Sequence, residues 1–135
     1  MTKRLITIII CCTGFSSLVG QNLLTDNILW TATTLSDLNH NTTVNAPCQF
    51  KTMGAQIDWI QGNGSYITSF SVQNTSGAWP DVSKSGSVIF SVTSDGLTGN
   101  MTWTRDSSGL SVKLVLSGGT DPINILYTIS TFQKL

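Results

Sequence analysis

Hydrophobic and polar residues alternate with a period of two across residues 85–116. Val88, Phe90 and Val92 occupy every second position of the first segment, which is the pattern of a strand with one buried face. A Ser-Asp-Gly sequence interrupts the alternation, and an Asp-Ser-Ser-Gly sequence interrupts it again. Such sequences favour tight turns because glycine adopts positive φ without a steric penalty. The stretch therefore predicts a three-stranded antiparallel meander.

Five further segments have strand-like patterns and are separated by turn residues. They are residues 28–35, 48–53, 55–61, 66–72 and 123–132. Two stretches poor in alternation, 37–47 and 73–85, are predicted to be long connections. In the last strand the pattern puts Ile125 and Tyr127 on one face and Phe132 on the other.

These segments together predict an all-β fold. About seven or eight short strands joined mostly by tight turns are typical of an antiparallel up-and-down β-barrel. A β-sandwich is the alternative, because the two long connections could cross between sheets. The chain contains no Glu, which counts against long helices with exposed faces.

Residues 1–20 have the organisation of a secretory signal peptide. Lys3 and Arg4 precede an apolar run, and small residues lead to Gly20 and Gln21. The apolar run is shorter than the roughly 20 residues that a membrane-spanning helix needs. We therefore expect cleavage near Gly20/Gln21, a secreted or periplasmic protein, and no stable insertion in a membrane.

The remaining residues, 21–135, form one domain by their length. Five basic residues remain against seven Asp, and this slight acidity argues against nucleic acid as a partner. Cys48 is the one cysteine outside the predicted signal peptide. A buried free thiol is the favoured interpretation, and an intermolecular disulfide is the alternative.

Several features resemble small bacterial lipocalin-like proteins. They are Trp30 in the first strand, the sequence Asn-Ala-Pro-Cys-Gln-Phe at residues 45–50, the hairpin meander, and the closing Leu-Tyr-Thr-Ile-Ser at residues 126–130. The resemblance implies a meandering barrel whose mouth or interior takes a small apolar ligand. Residues 21–135 would then be a single lipocalin-like β-barrel domain.

Large side chains on the predicted inward faces are the candidates for contact with such a ligand. They are Trp30, Trp59, Tyr66, Phe70, Phe90, Met101 and Trp103. A barrel of about eight strands is just wide enough to be filled by side chains or to hold one small molecule. So many large residues favour a packed core over a ligand pocket.

Trp79 suggests a different class of function, carbohydrate binding. It lies in the predicted connection 73–85, and an exposed loop Trp could stack on an oligosaccharide. The favoured alternative is that Trp79 folds back and plugs one end of the barrel. A structural or interaction protein of the cell envelope, with no small ligand, is a third possibility, and the oligomeric state is left open.

The sequence gives little support for an enzyme. His40 is the only histidine, which excludes a three-histidine zinc site, and it falls in a predicted loop where an exposed side chain is expected. Asp58 is the only Asp within a predicted strand, on an outward polar face, and Asp106 beside Arg105 suggests a surface ion pair. We therefore predict no catalytic residues, no metal site and no cofactor.

Overall fold

The computed structural model describes residues 22–135, which form a closed antiparallel barrel of eight strands. The strands are β1 (Ile28–Asp37), β2 (Thr42–Thr52), β3 (Gln56–Gln61), β4 (Tyr66–Ser76), β5 (Gly86–Ser94), β6 (Leu97–Asp106), β7 (Gly109–Ser117) and β8 (Ile123–Lys134). Each strand pairs with its neighbour in sequence, and β8 pairs with β1. The predicted up-and-down barrel is confirmed. The predicted signal peptide lies outside the described residues.

The connections are shorter than the sequence predicts. The predicted loop 37–47 is wrong in its second half, because β2 already begins at Thr42 and pairs with β1 from there. The Ser36 and Thr43 hydroxyls lie 3.0 Å apart across this pair. Both faces are solvated here, so the segment has no apolar alternation to reveal it. The second connection also shortens, because β4 continues to Ser76.

Irregularities between β1 and β8 change which face Phe132 occupies. The register between the two strands shifts around Ala32, after Trp30 has paired with Phe132. Such a shift reverses the in-and-out alternation along one strand. Phe132 therefore contacts Trp30, with ring centroids 5.5 Å apart, and the prediction that it lies on the face opposite Ile125 and Tyr127 is wrong.

The core is built around Trp30, which is fully buried. Its ring lies 6.0 Å from that of Trp103 and 6.4 Å from that of Trp79. Trp30 Nε1 donates a hydrogen bond of 3.0 Å to the hydroxyl of buried Thr52. Phe50 meets Trp103 edge to face at 5.7 Å. Edge-to-face and offset contacts of this kind add to the stabilisation that burial of the rings provides.

One end of the barrel, here called the plugged end, is closed by Leu23, Trp79 and Val82, all buried. Trp79 Nε1 donates to the carbonyl of Lys84 at 2.8 Å. Arg105 Nε donates to the carbonyl of Val82 at 2.8 Å. These hydrogen bonds fasten the β4–β5 loop across the end of the barrel, so its apolar side chains stay seated.

The predicted ion pair between Arg105 and Asp106 is not what the structure shows. The Arg105 guanidinium lies 5.8 Å from the centroid of the Phe132 ring. Asp106 instead accepts hydrogen bonds from the backbone and the hydroxyl of Ser108. Arg105 therefore packs at the plugged end of the barrel, whereas Asp106 caps the turn between β6 and β7.

The opposite end is formed by four turns and is called the turn end. The turns comprise residues 38–41, 62–65, 95–96 and 118–122. Within residues 22–135, no helix has the length and apolar character needed to cross a membrane.

Candidate functional site

A groove of about 350 Å³ opens in the outer wall of the barrel where β2 and β3 separate. We call it the split groove. It is lined by Thr31, Pro47, Cys48, Gln49, Ile60, Asn63 and Gly64. The volume is within the range of sites for small molecules, roughly 300–1,000 Å³. The lining combines apolar groups with amide and hydroxyl groups and contains no charged side chain.

The register of the sheet creates this groove. Pairing between β2 and β3 ends at Gln49 and Ile60, so Cys48 has a partner in β1 but none in β3. The chain then turns aside at a short 3₁₀ segment, Gly62–Gly64, in which Asn63 has a φ of 55°. Because β2 continues while β3 stops, a notch is left in the wall between them.

A buried group of polar side chains lies around Cys48. The Cys48 thiol is close to the Tyr127 hydroxyl and to the Trp59 indole, and the Tyr127 hydroxyl is also close to Gln61. Trp59 and Tyr127 meet edge to face, with centroids 6.2 Å apart. Trp59 Nε1 is buried and makes no hydrogen bond of ordinary geometry. Cys48 belongs both to this group and to the groove, so it joins the two.

Burial raises the pKa of the Cys48 thiol to about 11, against 9.0 for an unperturbed thiol. Burial likewise raises the pKa of Tyr127. The polar group is therefore uncharged at neutral pH, and Cys48 is not a thiolate nucleophile there.

This pKa predicts a loss of stability in alkaline solution. The folded state holds the Cys48 proton more tightly than the unfolded state, so the stabilisation is complete below the unfolded pKa and is lost as pH rises towards the folded pKa. The free energy of unfolding should fall by up to about 3 kcal/mol between pH 9 and 11. Urea unfolding at pH 8, 9, 10 and 11 measures how steeply the free energy of unfolding falls with pH. Cys48→Ala should flatten it, and an unchanged slope in that variant would contradict the assignment.

Most residues predicted to line an interior ligand site are packed against one another. Trp30, Trp59, Phe70, Phe90, Met101 and Trp103 are all buried. Phe90 meets Trp103 at 5.6 Å and Phe50 stacks on Trp59 at 6.3 Å. Tyr66 is the exception, because its side chain is 71% exposed at the turn end of β4. Its expected place in the lining is corrected, since the strand carries it beyond the packed interior.

The structure also locates the other candidate residues. Trp79 is 2% exposed, which contradicts the carbohydrate-binding alternative, since stacking on a sugar needs an accessible ring face. His40 lies in the β1–β2 turn with Nδ1 2.9 Å from a carboxylate oxygen of Asp37, and its side chain is 75% exposed. Asp58 accepts a hydrogen bond from Gln56 on the outer face, as predicted.

The split groove itself was not predicted from the sequence. Thr31, Gln49 and Ile60 appear in the pattern as ordinary outward residues of strands. The register of β1, β2 and β3 places these three residues side by side across the sheet, because Gln49 pairs with both Thr31 and Ile60. The one visible signal is the Gly-Asn-Gly turn that ends β3, which identifies a turn but not a groove.

In the part of the chain that the structure covers, no three His, Cys, Asp or Glu side chains are grouped so that they could hold a metal ion. The chain matches no family model, and no curated protein and no solved structure matches it.

Proposed function

We propose that this chain is an exported, non-enzymatic, lipocalin-like barrel that binds one small, mainly apolar molecule in the split groove. The observation that carries the proposal is the groove of about 350 Å³, whose lining combines apolar side chains with the amides of Gln49 and Asn63 and the buried thiol of Cys48. A concave site with apolar walls and a few convergent polar groups is the usual form of a small-molecule site. The binding place differs from the barrel interior that a lipocalin-like sequence suggests.

The packed interior supports the groove as the binding place. The core aromatic rings lie 5.4–6.4 Å apart, and interiors packed in this way admit extra volume only at a cost in stability. The groove needs no such rearrangement, because it is already open to solvent. Export rests on the signal-peptide pattern of residues 1–20.

A non-catalytic role fits the chemistry of the groove. Cys48 is the nucleophile nearest to it and is protonated at neutral pH because burial raises its pKa to about 11. His40 lies in the β1–β2 turn and is occupied by Asp37. The groove therefore offers hydrogen bonds and apolar contact, which select a ligand without activating it.

Filling the groove should abolish binding. Thr31 lies in the groove on the outer face of β1 and is half-buried, so Thr31→Trp places a large ring in the ligand's space. We expect the affinity for the neutral fluorescent probe N-phenyl-1-naphthylamine to fall at least about tenfold, a change of about 1.4 kcal/mol. The rise in probe emission on titration measures it.

Thr102→Trp is the matched control. Thr102 is a half-buried residue on the outer face of β6, paired with Ile89 and Lys113, and is not in the groove lining. The control should keep the affinity of the unaltered chain. Equal binding by all three proteins would contradict the groove as the site, and no saturable binding by any of them would favour a structural role.

A further inference from the structure

We propose that the free edge of β2, residues 42–46, pairs with the same edge of a second copy of this chain. The two edges run antiparallel about a two-fold axis at Val44, so that the sheet of one barrel continues into the sheet of the other. Residues 42–46 lie outside the lining of the split groove, and their pairing does not depend on ligand binding there.

Over this stretch β2 has a neighbouring strand on only one side. Thr42 to Asn45 pair with β1, whereas the pairing of β2 with β3 begins only at Gln49. Within the described residues 22–135, no further strand pairs with β2. Residues 42–45 are exposed and Ala46 is half-buried. An open edge of this kind presents unpaired backbone N–H and C=O groups, which are a template for another strand.

A hydrogen bond at the turn end identifies which backbone groups of this edge point outwards. The N–H of Leu38 donates to a carbonyl of β8 at 2.9 Å. Backbone direction alternates along an antiparallel strand, so Asp37 directs its groups to β2, where its partner is Thr42. Thr42 therefore points back to β1. By the same alternation Thr43 and Asn45 direct their N–H and C=O groups away from β1, to the open side.

The free stretch matches its own copy in length. An axis at Val44 places Thr43 opposite Asn45 of the second copy, and these two residues exchange both backbone hydrogen bonds. Pro47, which has no N–H, falls opposite Asn41, which precedes the strand and has a φ of 54°. The missing donor therefore leaves no gap in the ladder. A longer foreign strand that continued past Pro47 would lack a donor there, which favours the second copy.

The side chains near the axis favour the same pairing. Val44 is 52% exposed, and the two copies of Val44 would meet as a non-hydrogen-bonded pair, in which Cα atoms are only about 4.5 Å apart. Residues 42–46 carry no charge, so an identical segment brings no like charges together. Strand edges are commonly protected from pairing by charged side chains, and this stretch has none.

Sedimentation velocity of the purified protein measures the self-association. We expect the weight-average mass to rise towards that of a dimer between about 10 µM and 1 mM, the range of weak interfaces of small area. Thr43→Pro removes an outward N–H that β1 does not use, so the barrel should fold. The dissociation constant of the dimer should rise at least about tenfold in this variant.

Substitutions of Val44 test the position of the axis. Val44→Lys places two like charges there and should raise the dissociation constant at least about tenfold, an effect that high salt reduces. Val115→Lys is the matched control, because Val115 is 45% exposed but lies on β7 between two paired strands. It should leave the association unchanged. Val44→Cys should give a disulfide-linked dimer on oxidation with copper phenanthroline, and Val115→Cys should not.

Thermal melting curves by circular dichroism establish that each variant is folded. Association that Thr43→Pro and Val44→Lys weaken and Val115→Lys retains supports the proposal, as does cross-linking confined to Val44→Cys. A dimer that neither β2 substitution weakens overturns it. A protein that stays monomeric at about 1 mM also overturns it, and the edge would then be open to an extended segment of a different protein. None of these outcomes bears on ligand binding at the split groove.

Discussion

Replacing Trp30 with alanine is expected to lower the free energy of unfolding by about 4 kcal/mol, in line with the cost of removing a fully buried Trp side chain. The ring contacts Trp79, Trp103 and Phe132 at centroid distances of 5.5–6.4 Å. The substitution leaves a cavity between the barrel wall and the plug. It also removes the hydrogen bond to Thr52, whose hydroxyl is buried. Such a loss is a large part of the stability of a small domain, about 5–15 kcal/mol.

Urea unfolding followed by tryptophan fluorescence and by circular dichroism measures this change. Tyr66→Ala provides the comparison, because its aromatic side chain is 71% exposed and its removal should change stability by less than about 0.5 kcal/mol. A loss below about 1 kcal/mol for Trp30→Ala would mean that Trp30 is not the centre of the core.

The second large effect is expected from Gly86→Ala, at about 3 kcal/mol of lost stability. A β-carbon on Gly86 would overlap the indole ring of Trp79, coming within 2.6 Å of its Cγ atom. Gly86 does not have positive φ, so the effect is steric rather than conformational. The added methyl group would displace the plug and break the hydrogen bond from Trp79 to Lys84.

A double-mutant cycle isolates this clash. In the Trp79→Ala background the methyl group has no ring to displace, so Gly86→Ala should cost less than about 1 kcal/mol there. Gly119→Ala is the matched glycine control, since its β-carbon would lie 3.4 Å from Leu97, an ordinary contact. Equal costs for Gly86→Ala in both backgrounds would contradict the seating of Trp79 against Gly86.

The sequence was most informative where one face of a strand is buried and the turn residues are specific. The meander of residues 85–116 became β5, β6 and β7 with the predicted turns, because alternation and Asp-Gly turn chemistry are both local properties. The repetition of such hairpins along the chain also predicted that the strands close into a barrel, as they do. Folding of Trp79 onto the barrel end was foreseen as the favoured alternative, because a large apolar ring in a loop seeks cover.

Features that depend on register were not accessible from the sequence. Phe132 lies on the opposite face from the predicted one because the pairing of β1 with β8 shifts in register. No residue type in the sequence identifies that shift. The first half of β2 was missed because its residues are exposed, so the hydrophobic effect leaves no pattern there. The split groove depends on where β2 and β3 stop pairing, which is a property of two strands together.

Titration of ¹⁵N-labelled protein with N-phenyl-1-naphthylamine, followed by ¹H–¹⁵N correlation spectra, tests most directly whether a small molecule binds at the split groove. We expect saturable shifts of the backbone amides of Gln49, Ile60 and Asn63, which line the groove, with the indole N–H of the buried Trp103 unchanged. Shifts centred on Trp103 and other residues of the aromatic core, with none at the groove, would contradict it.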